Sequence, residues 1–279
     1  MTSMILVALV LVGLCLGSFV NALVWRTHQQ STAKTNKKRR EFSISRGRSM
    51  CPHCKHSLAA RDLVPVLSWL ELRGRCRYCN KSISWQYPVV ELSMAVLYCV
   101  SYLYWPYEFG WVGALQFIVW LGILVLLMAL FVYDLHWMLL PNSLVYTLLG
   151  LVGLQTIIGL ASGVPDVWFV LNLILGSIAL GGVFWLLFQV SGGAWIGGGD
   201  VRLGFAIGLL AGSLINSVLL LFIASLLGTV VSLPLILQGK KASHKVPFGP
   251  FLITATVIVY LFGASINSWY QGLLFVAVF

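Results

Sequence analysis

The chain has 279 residues, of which 59% are hydrophobic and only 9% charged, and it carries 11 tryptophans. That balance leaves too little polar surface to cover a soluble globule and predicts a polytopic membrane protein. A formal charge of +10 would suit nucleic acid, but 14 of the 18 Lys and Arg lie between Arg26 and Tyr87, so the charge belongs to one polar loop, the pattern of a segment beside anionic headgroups and not of a nucleic-acid partner.

A membrane crossing needs roughly 20 apolar residues. Stretches of about that kind occur at 4–25, 88–104, 111–133, 143–160, 167–189, 201–215, 217–237 and 248–270. The expected fold class is therefore an all-α polytopic membrane protein of about eight transmembrane helices. The first stretch lacks a basic region ahead of its apolar run and is followed at once by positive charge, so it reads as an uncleaved first helix. Residues 26–87 form a basic loop that the positive-inside rule places in the cytoplasm, near anionic headgroups of membrane lipid. Alternation then places 134–142, 190–200 and 238–247 on the same side, the last with Lys240, Lys241 and Lys245. The opposite connections, near 105–110, 161–166 and from 271 onward, carry no Lys or Arg. This pattern puts both termini outside and divides the chain into a first helix (1–25), a cytosolic insert (26–87) and a transmembrane portion (88–279).

The insert holds two C-x-x-C pairs, Cys51 with Cys54 and Cys76 with Cys79, separated by 21 residues. Four thiolates on two turns suit tetrahedral zinc, and four cysteines leave no open ligand position, so the metal is expected to be structural. His53 and His56 are alternative ligands. Disulfides are the competing reading, disfavoured on a reducing cytoplasmic face. An insert of about sixty residues has a small apolar core and gains most from such a staple. Cys15 and Cys99 fall within apolar stretches and read as small packing residues.

Two acids share one face of the membrane. Asp134 ends the third stretch in "FVYDLHWMLLPN", and Asp200 follows three glycines, Gly197, Gly198 and Gly199, at the start of the sixth. Glu108 and Asp166 fall in outer connections, and Glu91 lies in the first turn of the second span. A carboxylate costs about 2.5 to 3.5 kcal/mol at the centre of a span on insertion scales and less toward its edge, so acids placed directly against apolar runs call for a use. Taken singly, each acid reads as a helix cap or interfacial residue. Taken together they suit an aspartic protease: two close carboxyls share one proton, one drawing a proton from water and the other assisting the carbonyl oxygen and leaving amine. Which of them is the base does not follow from the sequence. The glycines would let a substrate backbone approach closely and tolerate positive φ; a flexible turn is the plain alternative. Arg202 is two residues from Asp200, too far round a helix to pair with it, and reads as snorkelling to headgroups. His136 stands in the same relation to Asp134 and reads as interface filler; His28 and His244 read as solvated.

Seven segments in order resemble the type IV prepilin peptidase family: "GSFVNALVWR" (Gly17–Arg26), the two Cys pairs, "VPVLSWLELRGRCRYC" (Val64–Cys79), "ISWQYPVVE" (Ile83–Glu91), "DLHWMLLPN" (Asp134–Asn142), "GGGDVRL" (Gly197–Leu203) and "VPFGPFL" (Val246–Leu252). The resemblance implies a GxGD-type membrane aspartic protease, with Gly197, Gly199 and Asp200 matching that motif and Asp134 its partner. It further implies removal of the basic leader from type IV prepilins or type II secretion pseudopilins after a glycine, at the cytoplasmic edge of the inner membrane. It also implies methylation of the new N-terminus with S-adenosylmethionine, for which Glu91 is the best acidic supporting residue. The chain departs from the family pattern at Asn142, usually aspartate, and at Arg202, usually lysine. Asn142 retains an oxygen able to cap the helix after Pro141, and arginine keeps the charge while changing the hydrogen-bond geometry.

Two other classes compete. A proton- or cation-coupled transporter would use the acids as a relay near mid-span and show repeated halves, neither of which the sequence displays. A scaffold would use the zinc insert to dock pilus-assembly components and leave the glycine–aspartate segment without a role. The pilins processed and the oligomeric state do not follow from the sequence.

Overall fold

The computed structural model describes residues 2–44, 47, 49–161, 163, 167–237 and 246–276. Lys240, Lys241, Lys245, His244 and Asp166 lie outside these. The architecture is helical: α1 (Thr2–Thr32), α2 (Asn36–Glu41), α3 (Leu67–Glu71), α4 (Gln86–Leu103), α5 (Trp111–Trp137), α6 (Asn142–Ala161), α7 (Val167–Ser191), α8 (Gly198–Ala211), α9 (Leu214–Leu237) and α10 (Gly249–Val276). Eight of these coincide with the eight apolar stretches. Among the described residues, six (α1, α5, α6, α7, α9 and α10) are long and apolar enough to cross a membrane. The 14 residues of α8 span only about 21 Å, because Gly197 starts the helix late and Gly212, at φ 78°, ends it early. The protein is a multi-pass membrane protein.

The chain forms two compact units, Met1–Leu103 and Tyr104–Phe279. In the first, α4 packs along α1. The contact runs over a pair of small residues four apart. A Cβ on Gly13 would lie 2.6 Å from Ala95 Cα, and one on Gly17 would lie 2.5 Å from Glu91 Cα. Small residues at this spacing let two helix backbones approach closely where apolar side chains alone give no driving force in lipid. Asn21, 3% exposed, continues the seam: its Nδ2 donates to Gly17 O at 3.3 Å and Tyr87 O at 3.2 Å.

In the second unit, α5 is central, buried along most of its length, and packs on α6 and α10. Trp120 of α5, fully buried, stacks on Tyr260 of α10 with centroids 4.0 Å apart. Gln155 of α6 donates to the Tyr260 hydroxyl at 2.6 Å. An aromatic pair with a satisfied hydroxyl fixes the rotation of three apolar helices whose remaining surfaces specify little. The short α8 packs against α6, α7 and α10. Its contact with α7 is tight, since a Cβ on Gly208 would lie 2.7 Å from Gly176 O.

Candidate functional site

Asp134 stands in the last turn of α5, 5% exposed. The carboxyl-terminal end of a helix carries partial negative charge and disfavours a carboxylate there. The start of α10 offsets this. The backbone N–H of Gly249, its first residue, donates to the Asp134 carboxylate, and a Cβ on Gly249 would lie 2.5 Å from Asp134 Oδ2. Nothing in the segment "VPFGPFL" beyond its glycine and prolines marks this contact in the sequence.

Asp200 occupies the third position of α8, and its Oδ2 accepts the Gly197 N–H at 3.2 Å. The helix-cap role is thus real, yet it engages the carboxylate without turning it away from Asp134, which lies within range of the Asp200 charge. Two helices with sixty residues of chain between them bring the two acids within range of each other. The transporter expectation of mid-helix acids does not match either position, since Asp134 and Asp200 both stand at helix ends.

The three glycines differ from the expectation in one respect. Gly197 has φ −75°, and positive φ in this region belongs to Gly192 and Gly193, so the requirement at 197–199 is space and not left-handed backbone. A Cβ on Gly199 would lie 2.9 Å from Leu140 Cβ, whereas one on Gly198 would meet only Phe188 at 3.8 Å.

Arg202 is exposed and also bonds within the helix bundle. Its Nη1 donates to Asn142 Oδ1, and its guanidinium lies 5.8 Å from the centre of the Tyr146 ring. Asn142 correspondingly is not the cap of α6: it is that helix's first residue, and the carbonyl of Pro141 takes the Leu144 and Val145 N–H bonds instead. His136 Nδ1 pairs with Val132 O at 3.0 Å, one turn back along α5, away from Asp134.

The first unit holds the four cysteines, whose Sγ atoms all lie within 4.8 Å of one another. Tetrahedral Zn–S bonds of about 2.3 Å put sulfurs about 3.8 Å apart, and Cys51 and Cys79 are separated by 3.9 Å. The two knuckles repeat one geometry. Met50 bridges Ser57 and Arg75 bridges Ser82; Cys51 N donates to His56 O and Cys76 N to Lys81 O; Lys55 and Asn80 return N–H bonds to Cys51 O and Cys76 O at 2.9 Å each. Lys55 and Asn80 hold matching left-handed φ of 57° and 58°. Burial opposes ionisation of the Cys51 thiol, but hydrogen bonds from the backbone of Cys54 and His53 and from neighbouring thiols outweigh it and bring the group to about 7. The cluster can bind a metal ion, and neither His53 nor His56 belongs to it. Asp62 braces the insert by accepting from Arg77 Nε at 2.8 Å and Tyr78 OH at 3.0 Å.

A cavity of about 460 Å³ also lies within the first unit. Trp25, Arg26, Trp69, Tyr87 and Glu91 line it, and Cys51 and Cys76 stand in its wall. Glu91 falls in the second turn of α4, one turn deeper than expected, because α4 begins at Gln86. It is 5% exposed and accepts the Val66 N–H at 2.7 Å.

Residues 11–105 match the Bacterial Peptidase A24 N-terminal domain, and residues 120–233 match the Type IV leader peptidase family. Over 95% of its length the chain is 33% identical to 93% of the prepilin leader peptidase/N-methyltransferase of Stutzerimonas stutzeri. It is 34% identical, over 93% of its length, to 91% of the protein of the same name from Aeromonas hydrophila. A third relative, the type 4 prepilin-like proteins leader peptide-processing enzyme of Escherichia coli, is 33% identical over 86% of this chain and 87% of its own. No solved structure matches. Two adjoining family matches and full-length identity of this order make the chain a member of the type IV leader peptidase family.

Proposed function

We propose that the chain is a membrane-embedded aspartic endopeptidase that removes the leader of type IV prepilins or type II secretion pseudopilins and N-methylates the new amino terminus. The observation that carries the peptidase reading is the approach of Asp134 and Asp200 from α5 and α8, with the Gly249 N–H on one carboxylate and the Gly197 N–H on the other. Two carboxyls so placed share a proton. The charged member takes a proton from a water, whose oxygen attacks the scissile carbonyl; the protonated member donates first to the carbonyl oxygen and, as the tetrahedral adduct collapses, a proton passes to the leaving amine. Gly198, where an added Cβ would meet only Phe188 at 3.8 Å, leaves room beside Asp200 for an extended substrate backbone. Since a prepilin's cleavage site borders its own hydrophobic segment, acids at helix ends sit at the depth the substrate presents.

In this reading Cys51, Cys54, Cys76 and Cys79 hold one structural zinc, and the insert and the acid pair face the cytoplasm of the inner membrane, with both termini outside. Methyl donation draws on S-adenosylmethionine. Incubating the full chain with a prepilin and weighing the pilin amino terminus tests both activities. Asp134→Asn and Asp200→Asn should each lower cleavage by about 10² to 10⁴-fold while zinc content stays at one per chain. Undiminished turnover in either variant excludes the mechanism.

A further inference from the structure

Resting on the methyltransferase reading, we propose that the cavity in the first unit is the binding site for the methyl donor, with Glu91 facing its sulfonium and the aromatic walls holding its nucleoside. The volume, about 460 Å³, falls in the range of small-molecule sites, about 300 to 1,000 Å³. Glu91 is a buried carboxylate held in place by the Val66 N–H and the Ser18 hydroxyl, and among the described residues it has no ion-pair partner. A buried carboxylate without a counter-cation is costly to keep. A ligand bearing a fixed positive charge removes that cost.

The rest of the lining suits the same molecule. Trp25, Trp69 and Tyr87 offer flat faces for a purine and for a cation. Trp69 is itself held by its indole N–H bond to Ile83 O at 3.2 Å and by packing on Trp85. Arg26, 8% exposed, contributes a positive wall fixed by donation to Ser43, Ile44 and Gly47 carbonyls, complementary to the ligand's carboxylate. The lining also holds Asp62 and Arg77, which pair with each other at 2.8 Å; the carboxylate of Glu91, the guanidinium of Arg26 and the aromatics that remain match a zwitterionic amino acid joined through a sulfonium to a nucleoside. The metal knuckles enter through Cys51 and Cys76, so the zinc staple holds one side of the site in shape.

The test is equilibrium binding of methyl-labelled S-adenosylmethionine to the detergent-solubilised full chain. Glu91→Gln and Trp25→Ala should each weaken binding at least about tenfold, as should Ala22→Phe, which fills the cavity without removing a polar group; metal content and melting temperature report that each variant is folded. Donor affinity unchanged in the cavity-filled, folded variant overturns the assignment, and so does a rise in KM for prepilin with donor binding intact, which would make the cavity a peptide subsite. A wild-type chain that methylates pilin while these variants bind donor normally refutes the site alone. A wild-type chain that neither binds donor nor methylates refutes the methyltransferase reading beneath it, leaving cleavage to be judged separately.

Discussion

Gly249 and Asp134 are packed so closely that the first added carbon of a side chain at 249 would stand 2.5 Å from the carboxylate oxygen. The contact joins the start of α10 to the end of α5, and the glycine N–H is the donor that compensates a carboxylate placed at the wrong end of its own helix dipole. An atom inserted there moves Asp134 relative to Asp200.

Gly249→Ala is therefore expected to lower kcat for prepilin cleavage by about 100-fold, the cost of roughly 1 Å of misplacement at a reacting group. The melting temperature should fall much less than the activity. A variant with near-normal kcat would show that the carboxylate position is set elsewhere.

The glycines before Asp200 should not be equivalent. A Cβ at 199 meets Leu140 at 2.9 Å and one at 198 meets only Phe188 at 3.8 Å. Gly199→Ala should reduce cleavage more than Gly198→Ala, by about tenfold or greater, corresponding to roughly 1.4 kcal/mol in the barrier. Equal effects would point to backbone flexibility as the shared requirement.

Arg202 and Asn142 tie α8 to α6, with Tyr146 beneath the guanidinium. Asn142→Asp converts a charge-to-amide bond into an ion pair and should raise stability by about 0.2 to 1 kcal/mol, the ordinary value for an exposed pair. Arg202→Ala should lower stability by about 1 kcal/mol, and Arg202→Lys by less. Thermal unfolding in detergent reads all three, and a destabilised Asn142→Asp would contradict the proposed contact.

Removing a ligand from the tetracysteine cluster should loosen the insert locally. Cys51→Ser is expected to abolish metal retention, measured by atomic absorption, and to raise hydrogen exchange across 50–82, because the two knuckles are small loops with one bridge each and little core beneath them. Unchanged exchange in the metal-free variant would mean that the Asp62, Arg77 and Tyr78 contacts suffice to hold the loop.

Much of this protein was legible from residue order. Apolar runs of spanning length located the eight main helices to within a few residues at most ends, because hydrocarbon demands local backbone satisfaction and so writes each helix into contiguous sequence. The cysteine pairs announced their cluster because a tetrahedral metal needs two short turns, and those turns are local too. Asp134 and Asp200 stood out because carboxylates are scarce in such a chain.

What the order of residues did not contain was rotation and partnership. Apolar helices are nearly uniform around their circumference, so nothing in α5 says that Trp120 meets Tyr260, and nothing in α1 says that Gly13 and Gly17 seat α4. The Gly249 contact with Asp134, the capture of Asn142 by Arg202 and the enclosure of Glu91 in an aromatic cavity are pairings across 25 or more residues of chain. They arise only when packing selects one rotation of each helix, which tertiary structure alone decides.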